Sequence, residues 1–302
     1  MKTSPDCIPC LFRQALHTAR IASKDPAVHR RILLKLARMI PERSMSMSPA
    51  AYSQPVYTVV SSVSGVRDPF AKQKKETNRI ALGLLAHFRR LVARADDPLN
   101  AALHAAVGGN IIDLGINQKF DIGKDIRKIM HRPFAVTAIK DFRKDIGPGR
   151  RLLYLGDNAG EIVFDVLLVE QILKTGTDVT FTVKSGPVIN DATMEDAKVS
   201  GMTALVKVIE TGSDDIGVNL ARASRQFKQA FRTADVILGK GHGNFETCHS
   251  LPGNIYSLLK AKCNVVADAL GVEPGDIAFH HARRGPGKDL RHQTTPRLCS
   301  PL

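Results

Sequence analysis

Apolar residues recur at helical spacing through the first half of the chain. They occupy positions i, i+3, i+4 and i+7 in LFRQALHTARIA, HRRILLKLARMI and ETNRIALGLLAHFRRLVARA, which predicts a helix in each segment. A further helix is expected to begin near Asp97 and to reach the pair Gly108 and Gly109, where it either ends or lets another group approach its backbone closely. The segment 44–64, rich in Ser and Pro, is compatible with a loop, a strand or a weak helix.

From Arg151 onward the pattern changes to short apolar runs that alternate with amphipathic segments. Strands are predicted in RLLYLGDN, DVTFTVKSG, TALVKVIETGSDD and ADVILGKGHGN, with a fifth in KCNVVADALG. The segment EIVFDVLLVEQILKTG is predicted to be the helix that follows the first strand. This alternation is typical of βαβ units, so the fold class is expected to be α/β with a mostly parallel sheet.

Polar side chains follow each of the first four predicted strands. They are Asp157 and Asn158, then Lys184, Asn190 and Asp191, then Thr211, Ser213 and Asp214, and finally Lys240, His242 and Asn244. Because the carboxyl ends of parallel strands meet at one edge of a sheet, these side chains are expected to line one cleft. Loops after strands are polar in any such fold, but four of them flanked by glycines favour a binding site.

The residue types in this cleft favour an oxygen-bound metal ion and a phosphate group. Carboxylate and amide oxygens suit Mg²⁺ or Mn²⁺, and no His or Cys follows the first two strands to select zinc. Lys240 lies between two glycines in GKGHGN, where its ammonium and nearby backbone N–H groups can reach an anion. A metal ion and a lysine together would neutralise the charge that develops during phosphoryl transfer. The loop LGDNAGE lacks the glycine spacing of dinucleotide folds and the GK[ST] of nucleotide hydrolases, which disfavours NAD and ATP.

The basic charge of the chain is confined to its first half and its end. The net charge is +14, and residues 1–150 hold 26 Lys and Arg against 12 Asp and Glu, whereas residues 151–302 hold 17 of each. No zinc-finger, helix-turn-helix or RNA-binding signature accompanies this charge, so it is interpreted as a solvated surface. We expect neither nucleic acid nor a membrane as a partner.

The cysteines do not indicate a disulfide framework. The chain has five, and only Cys7 and Cys10 stand in a CxxC pair, which is half of a zinc site or two cysteines at a helix start. The N-terminus MKTSPDCIPC lacks the apolar stretch of a signal peptide, and no run of about 18 apolar residues occurs. A cytoplasmic location is therefore predicted.

Seven segments of this sequence resemble the damage-control phosphatase family, formerly a domain of unknown function, and specifically its microbial members that begin with CxxC. They are CIPCLFRQAL (7–16), GGNIIDLG (108–115), LGDNAGEIVFD (155–165), VKSGPVINDATMEDA (183–197), TGSDDIG (211–217), GKGHGNFET (239–247) and KAKCNVVADALGV (260–272). The resemblance implies a helical domain over 1–148 and a Rossmann-like α/β domain over 149–279. Residues 280–302, which match nothing in the family, are expected to form a disordered basic tail.

The resemblance also implies an activity and a metal site. The chain is expected to be a divalent-metal-dependent phosphoric monoester hydrolase that acts on sugar phosphates or damaged cofactor intermediates. Its implied metal ligands are Asp157, Asn158 and Asp191, with Mg²⁺ or Mn²⁺ as the first candidates and Co²⁺ or Ni²⁺ as further ones. Asp157 is also expected to be catalytic.

Further residues are expected to contact the substrate. The resemblance implies that Lys240 contacts the phosphate and is catalytic, and it suggests Asn244 as a substrate contact. His242 stands where a glutamine is expected in this motif. Asn110 and Asp113 lie three residues apart after the glycine pair, and they are predicted either to bind substrate or to serve as a helix cap and a solvated charge.

Two other functions are compatible with parts of the sequence. LGDNAGE loosely resembles the acidic glycine loop of an S-adenosylmethionine-dependent methyltransferase, although its glycine spacing is different and methyl transfer needs no metal triad. The excess positive charge would suit a basic nucleic-acid-binding protein, and salt-dependent retention on heparin would distinguish this alternative from a phosphatase.

Overall fold

A seven-stranded sheet organises the C-terminal half of the molecule. The computed structural model describes residues 1–114, 128 and 130–284, and it describes side chains for 1–109, 128 and 130–282. The strands are β1 (Val136–Thr137), β2 (Arg151–Leu155), β3 (Asp178–Val183), β4 (Lys207–Glu210), β5 (Val236–Lys240), β6 (Gly253–Lys260) and β7 (Ile277–Arg284). Their order is β1-β7-β6-β5-β2-β3-β4, and all neighbours are parallel except β6 and β7.

The chain reverses its direction of travel across the sheet at β2. It runs outward from β2 through β3 to β4, then returns to add β5 on the other side of β2. The carboxyl ends of β2 and β5 therefore flank the point where the strand order switches, and this is where open α/β sheets bind their ligands. The α/β class with a mostly parallel sheet is confirmed.

Helices cover the sheet and extend from it. They are α1 (Cys7–Ala22), α2 (Pro26–Met39), α3 (Pro49–Ser53), α4 (Pro55–Ser64), α5 (Ala71–Arg94), α6 (Pro98–Leu114), α7 (Ile139–Asp145), α8 (Glu161–Leu173), α9 (Met194–Val199), α10 (Met202–Leu205), α11 (Arg225–Thr233), α12 (Gly241–Cys248) and α13 (Asn264–Leu270), with a 3₁₀ turn at Ile40–Glu42. In the described part of the chain, no helix is long and apolar enough to cross a membrane.

The N-terminal helices divide between two apolar cores. Buried residues of α1, α2, α3 and α4, such as Leu11, Ile32 and Val56, form a core of their own. By contrast, α5 and α6 share one core with the sheet and α8, to which they contribute Phe88 and Leu103. Helices α5 and α6 are therefore packed as part of the α/β layer.

The glycine pair of α6 allows a close approach and does not end the helix. The helix continues to Leu114, and a Cβ added at Gly109 would lie 3.0 Å from the Cα of Glu161 and 3.1 Å from the Phe164 ring. The sequence was compatible with either a helix end or a close approach at this glycine pair. Gly109 lets α6 contact the beginning of α8 directly, next to the candidate site.

Two expectations about the end of the chain are wrong. The fifth predicted strand, in KCNVVADALG, is helix α13, which buries Val266, Ala267 and Leu270 on one face and ends at left-handed Gly271. The strand is instead β6, formed by the preceding GNIYSLLK. The expected tail from 280 also starts too early, because 280–284 continue β7 and pair with β6. The domain boundaries at 148 and 279 otherwise remain a prediction, although β1 already pairs with β7.

Candidate active site

The structure brings together the three predicted metal ligands. Asp157 and Asn158 lie just beyond β2, and Asp191 lies in the segment after the neighbouring strand β3. Asn158 and Asp191 form an isolated antiparallel bridge, and the N–H of Ala192 donates to the backbone oxygen of Asp157 at 2.7 Å. These backbone bonds hold the loops after two adjacent strands in fixed register, so the three side chains share one site.

Negative charge is concentrated at this site. Burial, together with the charges of Glu161 and Asp191, raises the pKa of Asp157 well above its usual value. Burial likewise raises the pKa of Asp191 to about 6, although the positive charge of Lys184 opposes the shift. Lys184 lies 3.7 Å from the Asp191 carboxylate, and its ammonium also donates to the carbonyl of Gly217 at 2.5 Å.

Asn158 is oriented by the two carboxylates beside it. Its side-chain N–H group donates to Glu161 Oε1 at 2.8 Å and to Asp157 Oδ2 at 3.2 Å. Because the nitrogen is committed to these carboxylates, the amide oxygen is the atom of Asn158 that remains for a cation. Glu161, at the start of α8 and 1% exposed, thus orients a predicted ligand, a role that the sequence did not suggest.

Gly241 lies against the Asp157 carboxylate. It follows β5 at the switch point and has φ +73°, a conformation that favours glycine. A Cβ at this position would collide with both oxygens of the Asp157 carboxylate. The glycine of the GKG motif therefore makes room for the aspartate.

Lys240 does not occupy the predicted phosphate-contacting position. Its side chain is 1% exposed, and its ammonium donates to Asp165 Oδ1 at 2.8 Å, to Glu161 Oε2 at 3.3 Å and to the carbonyl of Ala106 at 2.9 Å. These three acceptors take all three N–H bonds. The expectation of direct phosphate contact is corrected because Lys240 instead neutralises buried carboxylates beneath the site.

Asn244 contacts the backbone of neighbouring strands and not the space where a substrate was predicted to bind. It is buried, and its side-chain N–H group donates to the carbonyl oxygens of Lys240 at 2.9 Å, Gly156 at 3.0 Å and Leu155 at 3.3 Å. These bonds join the first turn of α12 to the ends of β2 and β5. Asn244 therefore holds the walls of the site together.

A lysine that the sequence analysis assigned no role acts electrostatically on Asp157. Lys262, on the loop after β6, is exposed, and its positive charge lowers the pKa of Asp157 against the dominant effect of burial. In the described part of the chain, no carboxylate forms an ion pair with its ammonium. The N–H of Lys262 donates to His242 Nε2 at 2.9 Å, and burial followed by the Lys262 charge lowers the pKa of His242 to about 4. Neutral His242 thus supports the loop that carries Lys262.

The side chains of Asn110 and Asp113 lie outside the described residues, so their predicted role is untested. The N-terminal half contributes to the site through another residue, Asn78 of α5. Its side-chain oxygen accepts a hydrogen bond from the N–H of Gly160 at 2.7 Å, and its nitrogen donates to Asp196 Oδ1 at 2.7 Å. Asn78 thereby links α5 to the loop after β2 and to helix α9.

The candidate metal site needs the side-chain oxygen of Asn158 as its third protein ligand. Over the described ranges, no three residues drawn from His, Cys, Asp and Glu form a group that could hold a metal ion. The predicted set contains only two carboxylates and completes its oxygen donors with Asn158. Cys7 and Cys10 at the start of α1 are free thiols, and no third ligand in the described part completes a zinc site with them.

Comparison with protein families identifies one match that spans nearly the whole chain. The family model of the damage-control phosphatase ARMT1-like domain matches residues 3–278. Damage-control phosphatase PH1575 of Pyrococcus horikoshii is 33% identical over 281 residues, which cover 92% of this chain and 97% of that protein.

Its crystal structure, described as a DUF89 family protein, superposes with a TM-score of 0.87 and covers 94% of this chain and all of the other. A damage-control phosphatase of Archaeoglobus fulgidus is 30% identical over 285 residues, 92% of this chain and 98% of that protein. The 4'-phosphopantetheine phosphatase of Mus musculus is 27% identical over 151 residues, which are 44% of this chain and 18% of the mouse protein.

Proposed function

The chain belongs to the damage-control phosphatase family, and we propose that it hydrolyses phosphate monoesters of small metabolites at a divalent metal ion held by Asp157, Asn158 and Asp191. It is a phosphatase, as its relatives from Pyrococcus horikoshii and Archaeoglobus fulgidus are named. The observation that carries the site assignment is the pairing of Asn158 with Asp191 beside Asp157 at the switch point of the sheet.

The charge of the site fits a divalent cation. The carboxylates of Asp157, Glu161, Asp165 and Asp191 outnumber the ammonium groups that form ion pairs with them in the described part of the chain, which are those of Lys184 and Lys240. The raised pKa values of Asp157 and Asp191 reflect burial first and the neighbouring negative charge of Glu161 second. Hard oxygen donors of this kind favour Mg²⁺ or Mn²⁺, with Co²⁺ and Ni²⁺ as further candidates.

The chain's own residues supply orientation and charge. When bound, the metal ion would polarise a phosphoryl oxygen and neutralise charge that develops in the transition state. Asp157 is held in place by Gly241 on one side and the Asn158 amide on the other. Lys262 is proposed to contact the substrate phosphate from the solvent side, a role supported by its exposure and by the effect of its positive charge on Asp157. Lys240 acts below, where its ammonium donates to Glu161 and Asp165 and holds both side chains in place.

The substrate is proposed to be a small phosphorylated metabolite, such as a sugar phosphate or a damaged cofactor intermediate. The mouse relative is named for 4'-phosphopantetheine, a small phosphate monoester. Family membership favours this proposal over the methyltransferase and nucleic-acid-binding alternatives.

The test is phosphate release from a panel of phosphate monoesters with Mg²⁺, Mn²⁺, Co²⁺ or Ni²⁺ after exhaustive chelation. We expect turnover only when a metal ion is restored, and none in Asp157→Asn under the same conditions. Wild-type turnover by the chelated protein, or by Asp157→Asn, would refute the proposed site.

A further inference from the structure

A cavity of about 540 Å³ lies between the N-terminal helices and the loops that follow β3 and β4. One wall is α4, which contributes Tyr57, Thr58 and Ser61, and the facing wall is formed by 185–189 and 212–214. Cavities of this size hold small molecules. None of the metal-site residues lines it, so it is a compartment next to the site described above.

Tyr57 connects this cavity with the metal site. Its ring lines the cavity, and burial followed by the negative charge of Asp191 raises the pKa of its hydroxyl. The hydroxyl donates to Gln14 Oε1 at 3.2 Å, which fixes the ring against α1. The loop 185–189 of the facing wall leads directly into Asp191. The wall of the cavity and the predicted metal ligand Asp191 therefore belong to the same chain segment.

The backbone is strained at the same place. Ile189 has φ +48° and is the only non-glycine residue with positive φ among the described residues. A β-branched residue rarely adopts this conformation, and such strain concentrates at ligand sites. Ile189 lines the cavity two residues before Asp191, so the strained turn lies between the cavity wall and the predicted metal ligand.

The lining of the cavity is rich in hydroxyl groups and carries one unpaired cation. The hydroxyl-bearing residues are Thr18, Tyr57, Thr58, Ser61, Ser62, Ser185 and Ser213. Arg222 pairs with Asp214 at 3.4 Å and with Asp215 at 2.7 Å. Asp68 pairs with Lys74 at 3.4 Å. Arg67 is exposed, and in the part of the chain that the structure describes no carboxylate forms an ion pair with it.

We propose that this cavity binds the organic group to which the phosphate is esterified, while the phosphate itself lies at the metal site. The cavity selects a polyhydroxylated chain whose far end is an anionic group held by Arg67. The inference rests on the proposed phosphatase function and narrows its substrate class. The Thr58 and Ser61 hydroxyls would exchange hydrogen bonds with the substrate, since those of Thr18, Tyr57 and Ser62 already donate within the protein. The guanidinium would pair with a carboxylate or a second phosphate.

Two phosphate esters with the same number of carbon atoms test the charge preference. Glucose 6-phosphate has a neutral end opposite its phosphate, whereas 6-phosphogluconate ends in a carboxylate. We expect the wild type to have the lower KM for 6-phosphogluconate. Arg67→Gln should raise this KM about tenfold, since one exposed charge-assisted contact is lost, and change the KM for glucose 6-phosphate less than about twofold. Equal changes for both substrates would overturn the role of Arg67.

Filling the cavity tests the subsite itself. Ser61→Trp should lower kcat/KM for both sugar phosphates about tenfold or more, whereas the matched control Ser61→Ala should change them little. The chain has no tryptophan, so the fluorescence of the introduced indole reports both folding and titration by 6-phosphogluconate.

The outcomes separate the subsite from the proposed function. If folded Ser61→Trp keeps wild-type KM values for both sugar phosphates, the cavity is not the subsite. If the wild type hydrolyses p-nitrophenyl phosphate with metal but neither sugar phosphate, the substrate class is wrong while the phosphatase function stands. If no ester in the panel is hydrolysed with any metal, the proposed function itself fails.

Discussion

The side-chain oxygen of Asn78 accepts a hydrogen bond from the backbone N–H of Gly160 at 2.7 Å, although the two residues lie in different halves of the chain. The nitrogen of the same amide donates to Asp196, which belongs to the helix after β3. One buried amide of α5 therefore joins the loop that carries Asp157 and Asn158 to the segment that follows Asp191.

This relationship predicts that Asn78→Ala impairs both stability and turnover. The substitution leaves the Gly160 N–H without its acceptor and removes a donor from Asp196, at a cost of roughly 1–3 kcal/mol in the free energy of unfolding. Thermal denaturation and phosphate release measure the two effects. Arg79→Gln, on the exposed face of the same helix, is the control and should change neither. An Asn78→Ala protein as stable and active as the wild type would contradict the linking role.

Lys240→Met is predicted to destabilise the fold. It removes the only cation bonded to Glu161 and Asp165 in the described structure and leaves two buried carboxylates uncompensated, which costs about 3–5 kcal/mol. Urea denaturation of the metal-free protein should show this loss in the free energy of unfolding. Without metal, a bound ion cannot offset the charge of the two carboxylates. A variant with wild-type stability but reduced turnover would instead restore Lys240 to direct phosphate contact.

Lys262→Met is predicted to reduce turnover without lowering the stability of the fold. Its side chain is exposed, so the melting temperature should stay near that of the wild type. Loss of the ammonium should lower kcat/KM for phosphate esters about a hundredfold through lost charge stabilisation. Lys260→Met, on the same segment, is the control with a small expected effect. Unchanged kcat/KM in Lys262→Met would rule out its contact with the phosphate.

Gly241→Ala is predicted to abolish activity. The added methyl group would displace the Asp157 carboxylate, and alanine disfavours the left-handed backbone at this position. Calorimetric titration with Mn²⁺ should detect weaker metal binding. Gly83→Ala serves as the control because it lies in α5 with open space around its Cβ position, and it should stabilise the protein by about 0.5–1 kcal/mol without affecting activity. Normal metal affinity in Gly241→Ala would count against Asp157 as a ligand.

The sheet and the convergence of Asp157, Asn158 and Asp191 could be predicted because their signals are local. Four strands have apolar cores followed by polar ends, and this pattern places Asp157, Asn158 and Asp191 at one edge once the strands are parallel. The fifth strand was misplaced because KCNVVADAL and GNIYSLLK are both short apolar runs, and only packing distinguishes a buried helix from a strand of that length.

The role of Lys240 could not be predicted because burial depends on distant partners. The GKG pattern is the same whether the lysine faces solvent or the interior. Its acceptors are Ala106 in α6 and Glu161 and Asp165 in α8, and their convergence follows from the packing of those helices. The close approach at Gly109 permits this packing, but the sequence was equally compatible with a helix that ends at the glycine pair. The misplaced fifth strand also hid Lys262, because its loop follows a strand that the pattern did not identify.

The most direct test of the metal-dependent site is phosphate release by Asp191→Asn and by the wild type, measured against Mn²⁺ concentration after chelation. Asparagine keeps the shape of the side chain but removes a carboxylate that burial and Glu161 disfavour in the charged form. We predict that the metal-free variant melts no lower than the metal-free wild type, and that its turnover falls at least about a thousandfold. A variant that releases phosphate at the wild-type rate with the same Mn²⁺ dependence would contradict the assignment.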